Sequence, residues 1–188
     1  PGPDVFAGAD AEICVGDNYN LTDATLINGQ NIQWSIVDGD GSFIGSVNSI
    51  NPTYSPGPQD LINGVVTLRL SADGVTPCLN TTSDDVVITI RPLPTLRVVP
   101  NFTVCEGEIT ITGTQAANYS NVQWQVFQGS GTLNVSDPLV PIYTTTSTDV
   151  VNGTVTLRVT ADGTGACSGT SVQEDITLTV SESGTVNA

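Results

Sequence analysis

The sequence predicts an all-β fold made of two tandem antiparallel β-sandwich domains. Three observations support this prediction: the chain repeats itself after about ninety residues, its apolar residues alternate with polar ones, and no segment keeps a helical apolar period over a helix-forming length. Threonine and valine dominate the alternating stretches, and Asn-Gly, Asp-Gly and proline separate them. Short strands divided by turns in this way build antiparallel sandwiches.

The repeat covers almost the whole chain. Matching residues lie 89 to 91 positions apart, so the two copies share nearly every loop length. The first domain is therefore predicted to span residues 1–92 and the second residues 93–188. The markers of the first copy are Cys14, Trp34, Gly41, Tyr54, Asn63, Gly64, Thr67, Leu68, Arg69, Ala72, Asp73, Gly74 and Cys78, and those of the second are Cys105, Trp124, Gly131, Tyr143, Asn152, Gly153, Thr156, Leu157, Arg158, Ala161, Asp162, Gly163 and Cys167.

Each copy is predicted to contain at least four strands whose alternate residues face a core. In the first copy the inward residues are, in chain order, Tyr19 and Leu21; Ile32, Trp34 and Ile36; Val66, Leu68, Leu70 and Ala72; and Val86, Ile88 and Ile90. In the second copy they are Ile109 and Ile111; Val122, Trp124 and Val126; Val155, Leu157, Val159 and Ala161; and Ile176, Leu178 and Val180. The two tryptophans are therefore predicted core residues.

Charge excludes several classes of partner. Nineteen acidic residues against four arginines give a net charge of -15, with no histidine. Phosphate backbones and anionic lipid surfaces would repel both halves, so nucleic acid is excluded as a partner. No apolar run approaches the length of a membrane span, so we expect no membrane insertion.

Four cysteines occur as two per repeat at matching places. This arrangement favours one disulfide in each domain, Cys14 with Cys78 and Cys105 with Cys167, and hence an oxidising, extracytoplasmic compartment. A zinc site is the first alternative, which the lack of histidine and of a Cys-x-x-Cys spacing disfavours. Free thiols are the second.

The order of cysteine and tryptophan predicts the type of sandwich. A strand tryptophan about twenty residues after one cysteine, with a second cysteine beyond a strand that resembles strand F, is an immunoglobulin-like arrangement. The fold class is therefore predicted to be two tandem immunoglobulin-like domains. Cys14 precedes the early strand and Cys78 follows Gly74, so the bridge is expected at an edge or end of the sandwich. Pro92 and Pro94 predict a short, semi-rigid link between the domains.

A set of residues in each copy carries a family resemblance. In the first copy these are Ala7-Gly8-Ala9-Asp10, Ile13-Cys14, Gly16, Trp34-Ser35, Gly39, Gly41, Phe43, Asn51-Pro52, Tyr54, Pro56, Asp60, Gly64, Val66-Thr67-Leu68, Ala72, Cys78, Asp85 and Ile88. The second copy keeps Cys105, Trp124, Gly129, Gly131, Tyr143, Asp149, Gly153, Val155-Thr156-Leu157, Ala161, Cys167 and Asp175. The combined spacing resembles the Ig-like (PKD-like) tandem repeats of very long cell-surface proteins in Bacteroidetes, of the adhesin and gliding-motility type.

The resemblance implies a secreted or surface-anchored multidomain protein that is extracellular and often serves in cell adhesion. In many such proteins export is by the type IX secretion system, and some are linked to gliding motility. The implied partners are the neighbouring Ig-like repeats of the parent protein.

Catalysis is not expected. Without histidine or lysine, acid-base chemistry would fall to carboxylates, as in glycoside hydrolases. Neighbouring carboxylates occur at Asp38 with Asp40 and at Asp84 with Asp85. The matching positions of the second copy hold Gln128 with Ser130 and Glu174 with Asp175. A solvated turn is the simpler interpretation, so no catalytic residue and no organic cofactor are predicted.

Calcium is the one cofactor that the sequence suggests. Asp38 and Asp40 stand at alternate positions, as carboxylates do at the start of a calcium-binding loop. Ser49 occupies the twelfth position, where such loops carry a glutamate. The alternative is a tight turn in which Gly39 and Gly41 adopt positive backbone dihedrals.

Two classes of function fit these observations. The first is a structural spacer or stalk, in which stiffly joined modules hold an adhesive tip away from the cell or form a surface fibre. A subunit segment of a polymeric filament is a structural variant of this class. The second is a ligand-binding module, with carbohydrates such as surface glycans as the expected ligands, which would use loops at one end of a sandwich.

Overall fold

The computed structural model of the chain describes residues 1–182 and consists mainly of β-strands. It contains two compact units. The first comprises Pro1–Pro92 together with the short segment Gly165–Cys167, and the second comprises Leu93–Thr164 and the described residues from Ser168 onward. Residues 183–188, the end of the second predicted domain, lie outside the described residues.

The first unit is an immunoglobulin-like sandwich. Its elements are β1 (Asp4–Phe6), β2 (Ala11–Cys14), β3 (Tyr19–Asn20), β4 (Thr25–Ile27), β5 (Gly29–Asp38), β6 (Ser42–Ile44), β7 (Thr53–Ser55), helix α1 (Pro58–Asn63), β8 (Val65–Gly74) and β9 (Thr81–Arg91). One sheet has the order β2-β9-β8-β5, the other has the order β3-β7-β6, and β1 pairs with β4. All pairs are antiparallel except β2 with β9, which run parallel.

The second unit has the same architecture. Its elements are β10 (Thr95–Arg97), β11 (Asn101–Cys105), β12 (Glu108–Thr110), β13 (Gln115–Ala117), β14 (Tyr119–Gln128), β15 (Thr132–Asn134), β16 (Ile142–Thr144), helix α2 (Ser147–Asn152), β17 (Thr154–Gly163) and β18 (Ser171–Ser181). The sheet orders are β11-β18-β17-β14 and β12-β16-β15, β10 pairs with β13, and β11 runs parallel to β18. The predicted fold class is confirmed.

The alternation of apolar residues correctly identifies the inward faces of the long strands. In β8, Val66, Leu68, Leu70 and Ala72 are at most 1% exposed, and their counterparts in β17 are fully buried. Residues from both sheets of the first unit meet in one cluster that includes Tyr54 of β7. The sandwich therefore has its core where period-two burial requires it.

The two helices were not expected from the sequence. Each has six residues, which is too short for an apolar period to show. Local signals were nevertheless present, because Pro58 opens α1, Thr146 caps α2, and glycine follows each helix. Gly64 and Gly153 both have φ of 72°, the left-handed conformation in which helices often end.

The predicted pairing of cysteines within each repeat is wrong. Cys14 is bonded to Cys167, with the Cα atoms 4.9 Å apart, and Cys78 and Cys105 are free. Cys14 ends β2 beside Arg91, the last residue of β9, whereas Cys78 lies in the connection that leads into β9. The 11 residues of β9 separate these points by about 30 Å, whereas a disulfide requires Cα atoms within about 7 Å.

The same geometry rules out Cys105 with Cys167. Cys105 pairs with Ser181 at the end of β18, and Cys167 precedes the start of that 11-residue strand. Cys167 instead lies in the 3-10 helix Gly165–Cys167, which belongs to the first unit.

The two tryptophans differ in burial. Trp34 is 2% exposed, and its ring packs against Phe43, which in turn packs edge-on against Tyr54. Trp124 is only partly buried, at the junction of two core clusters of the second unit. Both indole N–H groups donate to a backbone carbonyl in a connecting loop of the second sheet of their sandwich. Trp34 donates to Ile50, shortly before β7, and Trp124 donates to Pro138, shortly before β16.

Replacement of Trp34 by alanine should destabilise the first unit by about 3 to 5 kcal/mol, because it leaves a large cavity in a closed core. Trp124→Ala should reduce the stability of the second unit by about 2 kcal/mol, because less of its surface is removed from water. Denaturant unfolding followed by circular dichroism measures both losses, and the remaining tryptophan reports the unit that was not altered. Equal losses in the two variants would contradict the difference in burial.

Candidate functional site

A buried aspartate is the most unusual polar feature of each unit. In the first unit it is Asp60 of α1, which is 0% exposed. Its Oδ2 accepts hydrogen bonds from the Tyr54 hydroxyl at 2.6 Å and from the backbone N–H of Gly57 at 2.9 Å and of Gly41 at 3.1 Å. Its Oδ1 accepts from the backbone N–H of Asp40 at 2.9 Å. One carboxylate thus joins α1, β7 and the turn after β5.

The turn fits this carboxylate because of its two glycines. Gly39 has φ of 147°, in the region that favours glycine. The prediction of a positive φ is wrong at Gly41, where glycine is needed because a Cβ atom would lie 2.4 Å from the Tyr54 hydroxyl and from the Ser55 carbonyl. Gly129 and Gly131 repeat both features, with φ of 151° at Gly129 and a Cβ at Gly131 that would lie 2.1 Å from the Thr144 carbonyl.

The second unit repeats the network with partly different donors. Asp149, also 0% exposed, accepts from the Tyr143 hydroxyl at 2.8 Å and from the backbone N–H of Thr146 at 3.0 Å through Oδ2. Its Oδ1 accepts from the backbone N–H of Ser130 at 2.7 Å and from the Ser130 hydroxyl at 2.9 Å. Gly131 donates its backbone N–H to the Tyr143 hydroxyl at 2.9 Å.

These contacts keep both aspartates ionised. Burial alone would raise the pKa of Asp60, but the hydrogen bonds from Tyr54, Gly57, Asp40 and Gly41 outweigh it, and the pKa lies below its ordinary value. For Asp149 the opposing hydrogen bonds come from Ser130, Thr146 and Tyr143, and the pKa is again lowered. Burial and the neighbouring carboxylate raise the pKa of Tyr54, and they raise that of Tyr143 to about 12.

Such an arrangement is suited to structure and not to proton transfer. The carboxylate is fully occupied by donors, and the phenol that contacts it does not ionise near neutral pH. Asp60 and Asp149 are among the residues that carry the family resemblance, but the sequence alone did not show their role. The available signal was an acidic residue that recurs six positions after the tyrosine in both copies of a chain with few charges.

The candidate calcium ligands occupy different places. Asp38 is exposed at the end of β5. Asp40 caps α1, because its Oδ1 accepts from the backbone N–H of Gln59 at 3.0 Å and of Asp60 at 3.1 Å. Across residues 1–182 no group of three or more acidic or cysteine side chains is arranged to hold a metal ion. Calcium binding at Asp38 and Asp40 stays a prediction.

The other carboxylate pair considered for catalysis is engaged in structural contacts. Asp84 accepts the backbone N–H of Ala7 at 2.9 Å. Asp85 forms a two-pronged ion pair with Arg69 across β8 and β9, at 2.6 and 2.7 Å, and the arginine lowers its pKa. Arg158 and Asp175 form the equivalent pair in the second unit, with both bonds at 2.8 Å.

Comparison with known proteins shows the fold class. The sequence matches no protein-family model and no curated protein. The structure is similar to the I-band fragment I67–I69 of titin, with 13% identity and a TM-score of 0.60 over 97% of this chain and 66% of that one. It is also similar to four extracellular domains of Drosophila N-cadherin, with 16% identity and a TM-score of 0.56 over 98% of this chain and 50% of that one.

Mouse cadherin-23 extracellular domains 22 to 24 are a third similar structure, with 12% identity and a TM-score of 0.56 over 96% of this chain and 66% of that one. The chain thus spans half to two thirds of the length of these structures. The class that fold and site define is a tandem immunoglobulin-like β-sandwich. No helix within residues 1–182 has the length and apolar character that a membrane crossing requires.

Replacement of Asp60 by asparagine should destabilise the first unit by about 2 to 4 kcal/mol at neutral pH, because buried donors lose a charged acceptor. Tyr54→Phe removes one hydrogen bond and should cost about 1 to 2 kcal/mol. Fluorescence of Trp34 in a Trp124→Phe background measures both losses in the first unit alone. A loss for Asp60→Asn no larger than that for Tyr54→Phe would contradict the central role of the carboxylate.

The loss should depend on pH. Because the folded-state pKa of Asp60 is lowered, its contribution is fully present above the ordinary aspartate pKa and disappears as the pH falls through the folded-state value. The difference in unfolding free energy between the parent chain and Asp60→Asn should therefore be constant above about pH 5 and shrink below about pH 4. Asp149→Asn in a Trp34→Phe background is the matched experiment for the second unit.

Proposed function

We propose that the chain is a pair of non-catalytic spacer modules of a secreted or surface-anchored bacterial adhesin or surface fibre. The observation that carries the proposal is the use of the residues that the two repeats share. Tyr54, Asp60 and the turn glycines hold the fold together, and Arg69 with Asp85 joins two strands. What the duplication preserves is therefore the sandwich itself.

The outward face of the larger sheet supports the same interpretation. Five matching places carry identical residues in both units, namely Gln33 and Gln123, Thr67 and Thr156, Arg69 and Arg158, Asp85 and Asp175, and Thr89 and Thr179, whereas other places differ, as Val37 and Phe127 do. The most exposed aromatic ring on this face, Phe127, lies under the Arg158 guanidinium, 3.9 Å from the ring centre. A receptor face would instead be expected to present open aromatic rings.

The disulfide supports an extracellular location, because such bonds persist in oxidising compartments. A Bacteroidetes source, export by the type IX system and a link to gliding motility are parts of the proposal that rest on the sequence resemblance. The proposed partners are neighbouring Ig-like repeats of the parent protein.

The disulfide also suits a stalk that bears tension. Cys14 and Cys167 are 153 positions apart, so their bond closes most of the chain into a loop. Tension applied to the two chain ends passes through this bond and not through the backbone within the loop. The strands from β3 to β17 lie inside this loop, so their unfolding would not lengthen the path between the chain ends.

Pulling on the two chain ends should release much less length from the oxidised chain than from the reduced one. Reduction should add roughly 500 Å of extension, because the loop of 153 residues becomes free to unfold. Force spectroscopy measures this gain. Cys14→Ser should behave as the reduced chain, and the Cys78→Ser, Cys105→Ser double variant should behave as the oxidised parent. Equal extension before and after reduction would contradict the shielding role.

A glycan array on the oxidised chain tests the spacer proposal against ligand binding. We expect no saturable binding, because the shared polar residues serve the fold. Substitution of the outward residues Thr67 and Thr156 by serine should change stability by less than about 0.5 kcal/mol and leave surface attachment of the parent protein unchanged. Micromolar binding to one glycan class that a loop substitution abolishes would replace the spacer proposal with the ligand-binding one.

A further inference from the structure

Cys14 and Cys105 occupy the same backbone setting. Each ends a strand that runs parallel to the last strand of its sandwich, with Cys14 beside Arg91 and Cys105 beside Ser181. The residue after each cysteine donates its backbone N–H to the carbonyl of that neighbour, at 2.9 Å for Val15 and 3.0 Å for Glu106. The backbone around Cys105 therefore offers a partner cysteine the same strand pairing and the same hydrogen bond as the backbone around Cys14.

Only the first position has its partner. Cys14 is 5% exposed and bonded to Cys167, whose Sγ also lies 3.3 Å from the Arg91 carbonyl oxygen. Gly165, in the same segment, passes so close that a Cβ atom would lie 2.9 Å from the Glu12 carboxylate. Cys105 is exposed, and among the described residues it has no disulfide partner. The segment Gly165–Cys167 thus covers Cys14, and no described segment covers Cys105 in this way.

The cysteine that could complete the second position is also present in the chain. Cys78 is the counterpart of Cys167 in the repeat, lies in the same connection between the last two strands, and is a free, partly exposed thiol. The observed bond joins the Cys14-type residue of one repeat to the Cys78-type residue of the following repeat. The chain therefore contains one completed bond of this kind and the two unused halves of another.

We propose that Cys105 of one copy of this chain forms a disulfide with Cys78 of a second copy. In this reaction two thiols lose two protons and two electrons to a disulfide oxidant such as oxidised glutathione, which leaves as two molecules of reduced glutathione. Cys78 and Cys105 belong to different surfaces of the chain, so the contact joins unlike surfaces of two copies. Such a heterologous contact can continue from copy to copy. The product is a covalent head-to-tail series of sandwiches.

Charge sets the conditions for the experiment. Each copy carries a net charge of -15, so copies repel one another at low ionic strength. Physiological salt screens this repulsion beyond about 8 Å. The inference concerns how copies join and does not depend on the spacer proposal, which a separate binding experiment tests.

The test treats the parent chain and two variants, Cys78→Ser and Cys105→Ser, with oxidised glutathione at physiological salt, and treats the two variants both alone and mixed. The parent chain should form a ladder of disulfide-linked oligomers, whereas each variant alone should remain monomeric and the mixture should form a dimer. Peptide mapping should find Cys105 joined to Cys78 in that dimer and Cys14 joined to Cys167 in every sample. The double variant is the matched control and should stay monomeric.

Three results would overturn the proposal. The first is the absence of a linked dimer in the mixture while peptide mapping shows the bond from Cys14 to Cys167 intact. The second is formation of symmetric dimers by either variant as readily as of the mixed dimer. The third is a bond from Cys78 to Cys105 within one chain. A mixed dimer whose only intermolecular bond is the one from Cys105 to Cys78 supports the proposal.

Discussion

The rest of each sandwich depends on one ionised carboxylate that is removed from water. A buried charge is strongly unfavourable unless hydrogen bonds replace its hydration. Asp60 meets this requirement with a phenol and three backbone N–H groups that come from separate segments of the chain. Because these donors can converge only when the helix, the strand and the turn are all in place, the carboxylate links local structure to the packing of the two sheets.

The two units cap the N-terminus of their short helix with different residues. The difference shows the structural role of Asp40. Gly57 has no side chain with which to cap α1, and the carboxylate of Asp40 accepts the free N–H groups from across the turn. In the second unit Thr146 caps α2 itself, and Ser130, which replaces Asp40, contacts the Thr146 hydroxyl and donates to Asp149. Asp40, which resembled a calcium ligand, therefore caps a helix. Where Thr146 replaces Gly57 and caps the helix itself, that role of Asp40 is not needed, and Ser130 stands in its place.

The parts of the fold that the sequence could predict are those that local patterns determine. Val66, Leu68 and Leu70 alternate with polar residues, and alternation alone identifies a strand and its buried face. The pairing of the cysteines depends on a non-local fact, namely that β2 runs parallel to β9 and places Cys14 at the far end of that strand from Cys78. Nothing in the positions of the cysteines records this direction, so their matching places in the two repeats led to the wrong pairing.

The role of Asp60 was hidden for a related reason. Its donors are mostly backbone groups, and a backbone N–H leaves no mark in a sequence except the glycine that lets it approach. Gly41, Tyr54 and Asp60 recur as Gly131, Tyr143 and Asp149, so the repeat contained the members of the network without showing that they meet. A duplicated chain therefore reveals which residues both copies retain. Only the folded backbone shows that the retained aspartate accepts backbone hydrogen bonds and that the retained Cys14 bonds to a cysteine of the other repeat.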